Sequence, residues 1–305
     1  MRDPYGTRLA RLVAERGPLC VGVDPHPGVL RSWGLTTDVA GLERCARGLV
    51  EALAGTVAVF KPQSAFFEAY GSAGIAVLEA VLADIAAAGA LSLLDVKRGD
   101  IGSTMDAYAA AYLTDDSPLA ADAVTLSPYL GFGSLDGAIE LALGSGRGVY
   151  VLALTSNPEG PQFQTARTAA GETVGQTVVD EAARRNAGPG PGSVGVVVGA
   201  TIGATGSRFG HLNGSILAPG LGAQGAGADD APGWRRGAPA GAARRSTGGW
   251  SRGFLIWLPA AGKGGSSENL PQPEGRTHLA RGPGRRLAQR LGCGSGPQDL
   301  PAHAG

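Results

Sequence analysis

The stretch Leu93-Leu94-Asp95-Val96-Lys97-Arg98-Gly99-Asp100-Ile101 brings Asp95, Lys97 and Asp100 together at the end of an apolar run. On a strand, Asp95 and Lys97 point to the same face, because side chains alternate with a period of two, and Asp100 falls in the loop just beyond. Charges placed there are costly to bury unless they pair with one another or act on a ligand. A lone Asp-x-Lys favours the first outcome, a salt-bridged rim, by about two to one. Here Asp24 and Lys61 end two other apolar runs at equivalent positions. That shifts the balance toward a group of fixed charges facing a ligand.

The elements that must position these groups follow a regular alternation from residue 19 to about 220. Short apolar runs occur at Leu19–Asp24, Thr56–Lys61, Leu91–Lys97, Ala123–Ser127, Gly148–Leu154, Val194–Gly199 and Ser215–Ala218. Between most of them lie segments with helical spacing: Val39–Leu53, Ala73–Ala87, Leu135–Leu143 and Val174–Arg185. Strands apolar throughout and separated by helices imply a parallel sheet covered by helices, either an eight-stranded β/α barrel or a doubly wound sheet. The runs end in Asp24, Lys61, Asp95 with Lys97, Ser127, Thr155 with Ser156, and the Pro219–Gly222 turn. A barrel gathers all such ends at one mouth, whereas an open sheet spreads them along a line. The expected fold is therefore an α/β (β/α)8 TIM barrel, with its eighth strand and C-terminal tail aberrant or disordered.

Composition limits the remaining choices. Hydrophobic residues are 43% and aromatics only 6%, so the core must rest on Val, Leu, Ile and Ala. No apolar run approaches the roughly 20 residues of a membrane span. The start, MRDPYGTRLA, lacks the layout of a signal peptide. Three cysteines without metal-like spacing argue against a disulfide framework. A cytoplasmic chain with no membrane partner is expected. The four histidines, His26, His211, His278 and His303, form no ligand cluster in the sequence, so no metal is expected. The zero net charge conceals an asymmetry: residues 231–305 hold eleven Lys or Arg against three Asp or Glu. Past about residue 227 the alternation gives way to Gly, Pro, Arg and Ser. One apolar run remains at Phe254–Leu258, with a helix-like piece near Arg285–Leu291. The expected division is a barrel domain over 1–227 and a poorly ordered tail over 228–305.

The pattern D-x-K-x-x-D-I-x-x-T, here Asp95, Lys97, Asp100, Ile101 and Thr104, resembles the signature of the orotidine 5′-phosphate decarboxylases. The segments VGVDPHP (21–27), FKPQSAFFEAYG (60–71), LDVKRGDIGSTMDAYA (94–109), TLSPYLGFGSL (125–135), LTSNPEGPQFQ (154–164) and ILAPGLGAQG (216–225) resemble its longer-chain bacterial subgroup, in the right order over roughly residues 1–230. The resemblance implies cofactor-free decarboxylation of orotidine 5′-phosphate to UMP in pyrimidine biosynthesis. It assigns Lys61, Asp95, Lys97 and Asp100 to the alternating charge network, with Lys97 as the acid that protonates C6. It assigns Asp24 to the ribose, Ser127 to the pyrimidine and Gln164 to a loop that closes over the 5′-phosphate. It further implies a homodimer with shared active sites, in which Asp100 and Thr104 reach the neighbouring subunit's site.

The family closes its barrel with an eighth strand followed by a phosphate-binding Arg. Ser251-Arg252-Gly253-Phe254 is the nearest match, which makes Arg252 the candidate, but it falls a few residues late and no apolar strand precedes it. Two other readings compete with the decarboxylase. One is another sugar-phosphate barrel lyase or epimerase, which would be expected to use a metal and would give the TLSPYLG segment no clear task. The other is an inactive barrel whose basic tail binds RNA or another polyanion. That tail lacks RGG repeats and regular aromatic interleaving, so nucleic acid is not the expected partner. The Arg/Gly/Pro/Ala composition of the tail resembles a GC-rich gene read out of frame, with the shift near residues 227–234. Resequencing the coding DNA there is expected to reveal the shift; one unbroken frame through residue 305 would sink the idea.

Overall fold

The computed structural model describes residues 2–202 and 206–221, together with the backbone of strand 253–257. The elements run α1 (Tyr5–Arg16), β1 (Leu19–Val23), α2 (Pro27–Ser32), α3 (Val39–Leu53), β2 (Val59–Pro62), α4 (Ser64–Glu68), α5 (Gly71–Ala87), β3 (Leu91–Arg98) and α6 (Gly102–Leu113). They continue with β4 (Ala123–Leu126), α7 (Asp136–Gly144), β5 (Gly148–Leu154), α8 (Gly160–Gln164), α9 (Val174–Arg185), β6 (Val194–Val198), β7 (Ile216–Leu221) and β8 (Gly253–Trp257). The strands form a closed barrel in sequence order, and β1 to β7 pair in parallel. The expected barrel is thus present, and each of the seven apolar runs yields a strand.

The eighth strand departs from the usual parallel pattern. β8 pairs antiparallel with β7 (Ile216 opposite Trp257) and with β1 (Leu19 opposite Leu255). It arises from the Phe254–Leu258 run of the tail. A parallel connection needs a crossover that returns the chain to the barrel's far end. Here the chain instead re-enters at the end where β7 finishes, since Leu221 lies opposite Gly253. The edges of β1 and β7 are covered all the same, which removes the exposed backbone groups of an open barrel.

Two apolar layers hold the barrel. Outside, α3, α5, α7 and α9 bury Leu42, Val50, Leu78, Val81, Ile85, Ile139 and Val179 against the strands. The second layer packs Tyr5, Leu9 and Leu12 of α1 onto Cys20, Val59, Leu91, Leu93, Ala123 and Tyr150. These belong to the early part of the strands, so α1 seals the end from which the strands start. The phenol of Tyr5 lies 3.1 Å from that of Tyr150, and Tyr150 lies 2.6 Å from Ser215 Oγ, so the buried hydroxyls satisfy one another. Cys20 is fully buried there, and burial pushes its thiol up to about 12. It behaves as the small apolar residue that its place in the sequence suggests.

If β8 completes the barrel, Leu255→Pro removes a ladder donor and costs about 1–3 kcal/mol. That is expected to lower the melting temperature by roughly 3–10 °C. An unchanged melting temperature would show that β8 does not hold the barrel shut.

Candidate active site

The period-two alternation that packs the barrel also turns its upper layer polar. On β2, Val59 belongs to the apolar layer and Lys61 follows two places on, with Gln63 just past the strand; on β3, Leu91 and Leu93 give way to Asp95 and Lys97; on β4, Ala123 gives way to Thr125. These polar groups converge on the Asp95 carboxylate. Lys61 Nζ lies 3.1 Å from Oδ2 and Gln63 Nε2 donates to the same oxygen at 2.8 Å. Lys97 Nζ lies 2.7 Å from Oδ1, and Thr125 Oγ1 donates to it, also at 2.7 Å. Asp24 Oδ1 lies 3.8 Å from Lys61 Nζ, extending the row to Asp24–Lys61–Asp95–Lys97. Charge alternates at every step.

Lys61 is 1% exposed and Asp95 7%. Burial by itself would raise the Asp95 pKa, but the ammonium groups of Lys61 and Lys97 and the hydrogen bonds from Lys97 and Thr125 outweigh it and bring it to about 2. Asp95 is therefore an anion over the whole physiological range and serves to aim and hold the two lysines. Lys97, whose side chain is 46% exposed, is the member of the row open to a ligand. Asp24 Oδ2 is buried and has no hydrogen-bond partner among the described residues, so it is a ready acceptor for a ligand hydroxyl.

The backbone at Lys97 is unusual. Its φ is +47°, a left-handed conformation that costs a residue with a Cβ about 1–3 kcal/mol. The cause lies in the register: Leu94 is opposite Val124, yet Arg98 is opposite Leu126, so β3 advances four residues while β4 advances two. The bulge spans Asp95, Val96 and Lys97 and re-aims the lysine at the mouth. Arg98 anchors it from outside, through Glu68 of α4 at 2.9 Å and Tyr108 of α6 at 5.4 Å. Its carbonyl accepts the Ser127 amide at 2.7 Å. Gly99 is needed beside it: a Cβ there would stand 2.3 Å from the Ser127 carbonyl oxygen.

Of the residues singled out from sequence, the structure brings together Asp24, Lys61, Asp95 and Lys97. Ser127 is half-buried at the end of β4, beside Arg98 and Gly99. Asp100 is not part of the row; its Oδ1 accepts the amide of Ile101, and no ion pair joins it to Lys97 among the described residues. Thr104 is exposed on α6. Gln164 folds back onto its own loop, accepting from the Thr155 amide at 2.8 Å and donating to Thr155 Oγ1 at 2.7 Å. In this conformation it braces the loop and does not reach outward. Arg252 lies outside the described residues, as does the Arg285–Leu291 piece. Gln63 and Thr125 are site residues that the sequence reading missed. A polar residue two places after Lys61, and another on the inward face of an otherwise apolar β4, were the signals available.

Among the described residues no group of three or more His, Cys, Asp or Glu is placed to hold a metal ion. Among the described residues no helix is long and apolar enough to cross a membrane.

A β/α barrel that gathers an alternating row of charged side chains at the C-terminal ends of its strands has the architecture of a barrel enzyme, whose active site lies at that mouth. The chain is, more narrowly, a member of the orotidine 5′-phosphate decarboxylase / HUMPS family, whose model matches residues 17–245. It is 63% identical to the orotidine 5′-phosphate decarboxylase of Salinispora tropica over 229 residues, 75% of this chain and 82% of that one. Against the Streptomyces coelicolor enzyme of the same description the identity is 58%, over 75% and 83%. A crystal structure assigned to this activity from Streptomyces avermitilis superposes with a TM-score of 0.74 at 58% identity, covering 76% of this chain and 82% of that one. Leishmania donovani OMP decarboxylase gives 0.54 at 33%, covering 65% and 71%.

Asp95→Asn leaves two ammonium groups beside a neutral amide and is expected to destabilise the chain by about 3–5 kcal/mol at neutral pH. The folded pKa of Asp95 lies below the unfolded value of about 3.9. Its contribution is therefore complete above about pH 4 and is lost as pH falls toward 2, by roughly 2–3 kcal/mol. Urea unfolding across that window should show the wild type approaching the variant. A gap that stays constant down to pH 2 would contradict the assigned role.

Proposed function

We infer that this chain converts orotidine 5′-phosphate to UMP and CO2 without a cofactor, as its family and its relatives' described activity suggest. The observation that carries the reading is the alternating row Asp24–Lys61–Asp95–Lys97, with its most accessible ammonium at the mouth. The bond from C6 to the carboxylate breaks, CO2 leaves, and the electron pair stays on C6. No carbonyl is placed to take up that pair, so stabilisation must come from a nearby positive charge that is already oriented. Lys97 supplies the charge and then donates its proton to C6; solvent restores the ammonium. Asp95 pairs with Lys97 and limits its motion, and Lys61 offsets the cost of burying Asp95.

Asp24 Oδ2 accepts from a ribose hydroxyl, and Ser127 meets the pyrimidine. Gln164 would need to release Thr155 to touch the phosphate, and Arg252 is the candidate for the remaining phosphate contact. Among the described residues Asp100 forms no ion pair with its own Lys97, and Thr104 is exposed, which suits a homodimer in which each completes the partner's site. The functional unit comprises residues 1–227 together with β8, the rest of 228–305 is accessory, and the setting is the cytoplasm.

Loss of orotidine 5′-phosphate absorbance with the full-length chain tests the reading. Lys97→Ala is expected to cut turnover by at least about 10²–10⁴-fold while the fold is retained. A folded wild-type chain without activity, or a Lys97→Ala chain with wild-type turnover, would overturn it.

A further inference from the structure

We propose that Thr125 is a positioning residue for Lys97, its single hydroxyl holding the β3 bulge in the conformation that aims the lysine. Thr125 Oγ1 accepts from the amide of Val96 at 3.0 Å and from the amide of Lys97 at 2.9 Å. It donates its own proton to Asp95 Oδ1 at 2.7 Å. A hydroxyl has one donor and two acceptor sites, so this one is fully used. All three partners lie in the bulge.

The geometry leaves these amides no ordinary ladder partner. Where β3 runs two residues ahead of β4, the Val96 and Lys97 amides fall in the part of the register that β4 backbone does not match. A buried amide left unpaired is costly, so an unassisted bulge would relax toward a regular strand. Relaxation would take Lys97 out of its positive φ, and the direction in which its side chain leaves the backbone would change with it. Thr125 is 1% exposed, so water cannot readily replace its hydroxyl. The same oxygen orients the Asp95 carboxylate that receives Lys97 Nζ. Backbone and side chain of the lysine are thus fixed from one point on the neighbouring strand.

The kinetic arm of the test rests on the decarboxylase reading; the spectroscopic arm does not. Thr125→Val keeps the shape and removes the hydroxyl. It is expected to lower kcat by about 10²-fold, the scale of an ångström-sized misplacement, while KM changes little. Thr125→Ser keeps the oxygen and should recover most of kcat. The chain has only three lysines, Lys61, Lys97 and Lys263, so selective 13C labelling gives three resolvable ε-carbon signals, with Lys97 assigned from Lys97→Ala. The Lys97 signal of the ligand-free protein should move in Thr125→Val and return in Thr125→Ser. If the valine variant does not fold, Thr125→Ala, which also removes the hydroxyl, gives the same readouts. A folded variant lacking the hydroxyl, with wild-type kcat and an unmoved Lys97 signal, would overturn the proposal even if its melting temperature fell. So would a serine variant as impaired as the valine one, since packing of the methyl group would then be what matters. A wild-type chain without decarboxylation would remove the proposed function, and the lysine signal would still decide the role of Thr125.

Discussion

The arrangement of the barrel mouth follows from burying one carboxylate between two ammonium groups. A buried ion costs several kcal/mol unless its partners are close and its remaining lone pairs are occupied. Asp95 meets that condition with four donors drawn from three neighbouring strands and one strand end: Lys61 on β2, Gln63 just beyond it, Lys97 on its own strand and Thr125 on β4. Each donor must sit on an inward-facing position at the same height. Strand register, helix packing and the seal formed by α1 all serve to keep that height constant. Displacing one strand by a residue would replace a charged partner with an apolar one and leave the carboxylate exposed to its full desolvation cost.

The same constraint explains why the network both stabilises and strains the chain. The row of charges is favourable only if Lys97 turns back toward Asp95, and turning back requires a left-handed residue at the end of β3. The electrostatic gain and the backbone cost are local to one another. Arg98 and Gly99 provide the surroundings: the guanidinium ties the bulge to α4 and α6, and the missing side chain lets β4 approach. A rigid lysine of this kind needs little reorganisation when negative charge develops beside it.

Much of this was legible in the sequence, and the reasons are physical. The seven parallel strands could be read because strands buried on both faces are apolar throughout, and Asp95 and Lys97 could be placed on one face because two-residue alternation is independent of context. α3, β5 and α9 fall at the bounds read from periodicity. Helix α1 was not anticipated, nor was α6, whose apolar residues are spread around its circumference without a clear stripe. The bulge could not be read, since it exists only in the register between β3 and β4, and the role of Thr125 depends on it. Gln164 carried no signal of its direction: an amide on a loop fits a ligand or its own backbone equally well, and here it took the backbone. The direction of β8 was likewise invisible, because a five-residue apolar run reads the same parallel or antiparallel.

The reversed direction of β8 decides which side of the molecule each remaining stretch of chain is attached to. In an all-parallel barrel the chain would leave its last strand at the mouth. Here β8 begins beside Leu221 at the mouth and finishes beside Ile216 at the sealed end. Leu221 and Gly253, which bound the stretch 222–252, therefore both lie at the rim of the charged pocket, whereas Trp257 lies at the opposite pole. A fluorophore, affinity handle or surface linkage joined to the C-terminus would have its anchor point at the pole of α1.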